Sequence, residues 1–363
     1  MLVDGGRIVA VDRSGAGPPG HAELVDLSDA TLLPGLVDAH THLVFDPHEH
    51  PVGVAEETDE VLLARMRAHA ERALAAGITT LRDLGDVRYL AGRLRATWPD
   101  GPELLFSGPP ITRTRGHCWF LGGEADGVAG IQAAVAERAA AGADVVKVMA
   151  TGGLMTPGFG LHESQYDRAE LAAAVATAHD AGLPVTVHAH GPGGIADAVA
   201  ARADGVEHAT FVTEDGISLD EQIVNQMAAA GTAVGATEAW LPEGPPLPPA
   251  AATRLEQCWA NVERMHRAGV RLVCSSDAGV GPRKPHDVLP HGAVLFGRLG
   301  FSNTEALSAV TRTAAEACGL GARKGRLAPG YDADLLAVAG DPTADLRALL
   351  QVRAVIRAGR RVR

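Results

Sequence analysis

The chain has 363 residues, 46% of them hydrophobic, and a formal net charge of −12. That supplies apolar material for one large domain with a smaller appendage and excludes a disordered chain. The acidic balance has no basic stripe to offset it, which excludes nucleic acid as the expected partner and leaves a small-molecule substrate.

The N-terminal MLVDGGRIVAVDRSG lacks the basic and apolar regions of a secretory leader, and no apolar run approaches the length of a membrane span. Cys118, Cys258, Cys274 and Cys318 are scattered without CxxC spacing, so they read as reduced thiols of a cytoplasmic protein. A homo-oligomer stays open.

Residues 1–33 hold VDGGRIVAV, a Gly/Pro-rich turn and AELVDLSDATLLPG, which are short β-like runs. Apolar strand-like segments then alternate with alanine-rich helical ones. The eight strands are GLVDAHTHL, GITTLRDLG, PELLFSG, ADVVKVMA, LPVTVHAH, GVEHATF, TAVGAT and VRLVCSSDAG. Stretches such as DEVLLARMRAHAERALAAG and DRAELAAAVATAHDAG read as helices ending in Ala-Gly, with glycine at C′. LPEGPPLPPAAA (241–252) is a proline-rich loop after strand seven.

Eight strand–helix units predict an α/β fold, a (β/α)8 TIM barrel over residues 34–320, a size close to the usual figure of about 250 residues. An open doubly wound sheet is disfavoured because no Gly-rich phosphate loop follows the first strand. Residues 321–363 return to short β-runs. With residues 1–33 they predict a small β-sandwich assembled from both termini.

Polar residues at strand ends carry the functional signal. His40 and His42 lie in DAHTHL at the end of strand one, and a spacing of two puts both imidazoles on one side of an extended chain. His188 and His190 repeat the arrangement on strand five. His208 ends strand six and Asp277 ends strand eight. In a barrel these ends meet at one face, where imidazoles and a carboxylate suit zinc or a related divalent ion. His69, His179 and His266 lie in helical stretches and read as ordinary structural histidines. Lys147 is the anomaly: a charged residue inside the apolar run of strand four, where burial is costly without a partner.

PGLVDAHTHL, VTVHAHG, GVEHATF and CSSDAG, in this order, resemble the amidohydrolase superfamily, and GRLAPGYDADLLAV resembles its C-terminal β-sandwich segment. The resemblance covers nearly the whole chain. It implies a binuclear site in which His40, His42 and Asp277 bind one divalent ion and His188 and His208 the other. Lys147, carboxylated by carbon dioxide, would be the carbamate shared by both. Desolvation and nearby cations lower an ammonium's pKa and supply the neutral amine that captures carbon dioxide. The resemblance further implies a metal-bridging hydroxide as nucleophile, with Asp277 passing its proton to the leaving amine.

The segment ITRTRGHCWFLGGEADG resembles a subgroup of Xaa-prolyl and other dipeptidases, carboxypeptidase-like amidases and imidazolonepropionase relatives. His117 matches the histidine of a GGH motif that assists the substrate carbonyl, although Arg115 replaces the first glycine. His190 matches a histidine that faces the substrate or supports a ligand. Arg113, Arg115, Tyr166 and Lys284 are expected partners for a substrate carboxylate. The loop carrying His286 and His291 is expected at the pocket mouth. Relatives usually have a further strand before VDGGRIVAV, which implies a shortened sandwich or a late start.

The expected activity is hydrolysis of a linear C–N amide bond in peptide-like or N-acyl amino acid substrates, with zinc as the expected metal. Cyclic amides (lactam, imide or imidazolone) are the alternative within the same chemistry. A mononuclear deaminase and a non-catalytic scaffold are weaker readings, because the strand-four lysine and the full ligand set are both present.

Overall fold

The computed structural model describes residues 1–12, 20, 22–27, 29–244 and 249–363. Part of the Gly/Pro-rich turn and part of the proline-rich loop (245–248) lie outside the described residues.

All eight expected strands are present. They are β1 (Leu36–Thr41), β2 (Ile78–Asp83), β3 (Glu103–Phe106), β4 (Val146–Met149), β5 (Val185–Ala189), β6 (Gly205–His208), β7 (Ala233–Ala236) and β8 (Arg271–Cys274). β1 to β3 form one parallel ladder and β4 to β8 another. Two short seams join them into a barrel. At one, the Ile111 N–H donates to the Lys147 carbonyl at 2.8 Å and the Met149 N–H to the Ile111 carbonyl at 2.8 Å. At the other, the Asp277 N–H donates to the His40 carbonyl at 2.7 Å and the His42 N–H to the Ala278 carbonyl at 3.1 Å. Both seams therefore pass through residues flanking or belonging to the candidate site.

The helices follow from their ends as well as their apolar faces. Arg168–Asp180 opens with a reciprocal capping box between Asp167 and Glu170. It closes at Gly182, whose φ of +75° lets the last turn bond without strain on a Cβ. Pro249–Arg267 follows β7 and brings Arg254, Leu255 and Cys258 to the mouth of the barrel.

The terminal segments meet at the other end of the barrel. Ala30–Pro34 pairs antiparallel with Leu335–Ala339, which pairs with Val352–Arg357, and Arg360–Arg361 completes that sheet. The hairpin Leu2–Asp4/Arg7–Ala10 docks through the Ile8 N–H on the Tyr331 carbonyl and the Ala333 N–H on the Gly6 carbonyl, both 2.8 Å. Between sheet and barrel sits a network of ion pairs. Lys324 Nζ meets Glu103 Oε2 at 3.0 Å, Asp332 Oδ2 at 3.1 Å and Asp334, while Arg323 pairs with Glu103 and Asp332. Arg357 Nη1 closes the network on Asp334 Oδ1 at 3.0 Å.

Candidate metal centre and substrate cavity

Strand periodicity sorts the side chains. On β4, Val146 and Val148 are buried away from the cavity, whereas Lys147 and Met149 line it. On β5 the inward set is Thr186 and His188, continued by His190 beyond the strand end. His40 and His42 come from the end of β1, and Asp277 from the turn after β8. His208 and Asp277 have φ of +71° and +52°, a sparsely populated conformation for residues with side chains. The left-handed turn at His208 lets it join the cavity even though Glu207, its immediate neighbour, also points into the barrel.

The candidate ligands form two groups. His40 Nε2 and His42 Nε2 lie 3.5 and 3.4 Å from Asp277 Oδ1 and 3.3 Å from each other. His188, His190 and His208 form the second, with ligand atoms all within 4.8 Å of one another. The His40 and His208 rings, 5.2 Å apart, join the two groups. Lys147 lines the same cavity at 1% exposure, and its Nζ has no hydrogen-bond partner among the described residues.

Second contacts fix the rings. His40 Nδ1 lies 2.9 Å from Glu207 Oε2, and Glu207 is itself held by Thr186 Oγ1 at 2.6 Å and Arg82 Nη2 at 3.1 Å. His42 Nδ1 faces the Gly85 carbonyl at 3.1 Å, and His208 Nδ1 faces Thr237 Oγ1 at 2.9 Å. In His40, His42 and His208 the Nδ1 is therefore spent on the scaffold and Nε2 is left for a ligand. Gly235 on β7 makes room for this arrangement, since a Cβ there would stand 1.9 Å from Glu207 Oε2.

Burial sets the protonation states. It pushes His40 and His190 down to about 4 and His117 to about 3, and it depresses His188 and His208 as well. At neutral pH these imidazoles are neutral, the form that ligates metals. Burial opposes ionisation of Asp277, but the facing His40 and His42 and the charge of Lys284 outweigh it and hold the carboxyl below its usual range. Burial also lowers Lys147 to about 8, against the opposing pull of Glu207 and Asp277. A sizeable neutral-amine fraction is thus available near physiological pH.

The cavity above these groups has a volume of about 320 Å³ and a largely apolar wall that includes Leu154, Met155, Leu161, Trp240, Leu255 and Val280. His117 lines it, with Nδ1 3.0 Å from Thr156 Oγ1. Gly153 of the ATGG turn abuts that ring so closely that a Cβ would meet Nε2 at 2.3 Å. His190 also lines the cavity, its Nδ1 2.8 Å from Thr210 Oγ1 and its ring stacked on His208.

Other residues singled out in the sequence fall elsewhere. Arg113 is outside the cavity lining and donates to the Gln165 carbonyl at 2.9 Å. Arg115 is exposed and Tyr166 is buried with its hydroxyl on the Ala125 carbonyl at 2.6 Å; neither lines the cavity. Arg113 and Arg115 share a loop with His117, but their side chains leave it in other directions, and Tyr166 turns its hydroxyl to a backbone carbonyl instead of the cavity. Lys284 does line the cavity, with its ammonium committed to the Thr237 and Ser276 carbonyls at 2.6 and 2.8 Å. His286 is not at the mouth: it is buried, stacked on His69 and 3.0 Å from the His42 carbonyl. His291 lines a separate cavity with Trp259 and Arg298.

Arg254, Glu238 and Glu207 were not singled out in the sequence. Arg254 and Glu238 lie in the loop-and-helix region after β7, where no strand pattern marks them. Glu207 carried the same signal as Lys147, a charge inside a buried strand.

A sequence model of the amidohydrolase family matches residues 31–362. The chain belongs to the amidohydrolase family. Among its relatives, ochratoxinase of Aspergillus niger is 27% identical, over 89% of this chain and 73% of that protein. Imidazolonepropionase of Paracoccus denitrificans is also 27% identical, over 92% of this chain and 86% of that one. A solved structure of a Xaa-Pro dipeptidase with methionine bound in its active site superposes with a TM-score of 0.86 at 27% identity, covering 99% of this chain and 93% of that one. Among the described residues, no helix of this amidohydrolase is long and apolar enough to cross a membrane.

Proposed function

We propose that the protein is a binuclear metal-dependent hydrolase of linear amides, acting on peptide-like or N-acyl amino acid substrates. The observation that carries this reading is Lys147: a buried amine without a hydrogen-bond partner among the described residues, sharing one cavity with two groups of metal-type donors. An unpaired buried amine is costly, and conversion to a carbamate held by two cations would remove that cost. The donor set fits two divalent ions of the zinc type. His40, His42 and Asp277 would hold one, His188 and His208 the other, and carboxylated Lys147 both.

Bound ions would supply a Lewis acid for the scissile carbonyl and an acidified water. The chain's own groups do the rest. Asp277, ionised and facing both His40 and His42, takes a proton from the attacking water and delivers it to the departing nitrogen. His117, fixed through Nδ1 by Thr156, presents Nε2 as the donor for the developing oxyanion. The apolar wall excludes bulk water. Arg254, on the cavity lining and without an ion pair to a described residue, is the cation placed for a terminal carboxylate.

The Xaa-Pro dipeptidase and ochratoxinase similarities support an amide substrate. The imidazolonepropionase similarity keeps a cyclic amide as the second reading. The test is a mass-spectrometric hydrolysis screen of zinc- and bicarbonate-loaded protein with dipeptides, N-acyl amino acids and cyclic amides, using Lys147→Ala as control. Cleavage of a linear amide, lost in the variant, is the expected result. Ring opening alone would transfer the activity to cyclic amides.

A further inference from the structure

On the cavity wall, apart from the candidate ligands, stands a buried acceptor with an unspent oxygen. Glu238 lies two residues beyond β7, is 5% exposed and lines the cavity. The Trp259 indole N–H, from the helix Pro249–Arg267, donates to its Oε2 at 3.0 Å. Oε1 has no hydrogen-bond partner among the described residues, yet it is not among the atoms sealed from solvent. It therefore opens onto the cavity.

The neighbours do not satisfy it. Burial raises the Glu238 carboxyl above its ordinary range; Lys284 offsets part of that from a distance, but its ammonium is already held by two backbone carbonyls and makes no ion pair with Glu238. Trp240 also favours the ionised form, but its indole N–H completes no hydrogen bond among the described residues. The lining around it mixes apolar Val212, Trp240, Leu255 and Val280 with Thr237, Cys258 and Arg254, none of which bonds to Oε1 among the described residues. A desolvated carboxylate oxygen in such a place costs free energy until a donor arrives, and a cationic donor offsets that cost best.

We propose that Glu238 is a specificity residue that accepts a hydrogen bond from a substrate ammonium group. The inference rests on the linear-amide reading above and narrows it. In a linear amide whose terminal carboxylate meets Arg254, the leaving half's amino nitrogen is the scissile one, so the free ammonium belongs to the acyl half. The favoured substrates are then aminoacyl compounds with apolar side chains, in preference to N-acyl amino acids lacking the amine.

The test uses a matched pair, leucyl-leucine and its desamino analogue, in which hydrogen replaces the ammonium group. Zinc- and bicarbonate-loaded wild type should favour the dipeptide in kcat/KM by at least about tenfold, the scale of one charge-assisted hydrogen bond. In Glu238→Gln that ratio should fall to near one, with KM carrying the change and the melting temperature confirming the fold. Equal use of the pair by wild type, or an undiminished preference in the variant, overturns the proposal. The same pair is titrated calorimetrically into metal-free wild type and Glu238→Gln. If neither compound is hydrolysed, the linear-amide reading fails, and the calorimetry judges Glu238 separately. Tighter binding of the dipeptide by wild type alone keeps the proposal; binding of both alike, or of neither, overturns it.

Discussion

The barrel carries a buried ionisable cluster at each end, and the two are built on opposite terms. At the end that meets the small sheets, Glu103, Asp332 and Asp334 face Arg323, Lys324 and Arg357, so each carboxylate has a cation. Their oxygens lie close enough to resemble a metal site, but three side-chain cations already occupy that role. At the end that holds the candidate metal site the imidazoles are kept neutral, and the amine of Lys147 has no hydrogen-bond partner among the described residues. A network whose charges are matched ties elements together. One whose donors are left open is prepared for something to bind, and its cost to stability is part of that preparation.

Substitutions should separate the two ends. The largest effect is expected from Asp277→Asn, which removes the proton acceptor while keeping the shape: kcat/KM should fall by roughly 10²- to 10⁴-fold, with the melting temperature nearly unchanged. A parallel loss of stability would mean that Asp277 belongs to the structural class. Next is Lys324→Met, which strips the central cation from beneath Glu103, Asp332 and Asp334. Denaturant unfolding should show a loss on the order of 3 kcal/mol, with kcat/KM of the folded fraction retained.

A smaller effect is expected from Glu207→Gln, which weakens the group orienting His40. Metal titration of dialysed protein should show affinity lower by roughly 10- to 100-fold; unchanged affinity would reduce Glu207 to a core contact. Acid titration gives the finest distinction. Burial opposes the charge of Glu103, but Arg323 and Lys324 pull its carboxyl down to about 2. The folded value lies below the unfolded one, so this stabilisation is present above the ordinary carboxylate range and is lost as pH falls toward about 2. Unfolding measured between pH 5 and 2 should show that acid loss shrinking in Lys324→Met.

The eight strands and most of the site were legible because a buried strand tolerates few polar residues. His40, His42, His188 and Lys147 stood out against apolar neighbours, and the structure brings them into one cavity. Glu207 could have been found by the same argument. Arg113, Arg115 and Tyr166 were expected to meet a substrate carboxylate, but residue type says nothing about side-chain direction in a loop, and all three point away from the cavity. Glu238 and Arg254 were missed for the complementary reason: they reach the cavity from beyond β7, one from the loop and the other from the helix Pro249–Arg267, whose position over the barrel mouth is a tertiary fact.

By itself the sequence determined what is periodic and local: the alternation of strands and helices, the glycine-terminated helix ends, and which polar residues sit at strand ends. Burial energetics act on each segment separately, so these features need no knowledge of the rest of the chain. Tertiary structure alone decided the two seams that close the barrel, the convergence of His40 and His42 on Asp277, the spending of Nδ1 on Glu207 and Thr237, and the open oxygen of Glu238. Each of these depends on distances between segments far apart in sequence, and those distances are fixed only when the whole barrel has packed.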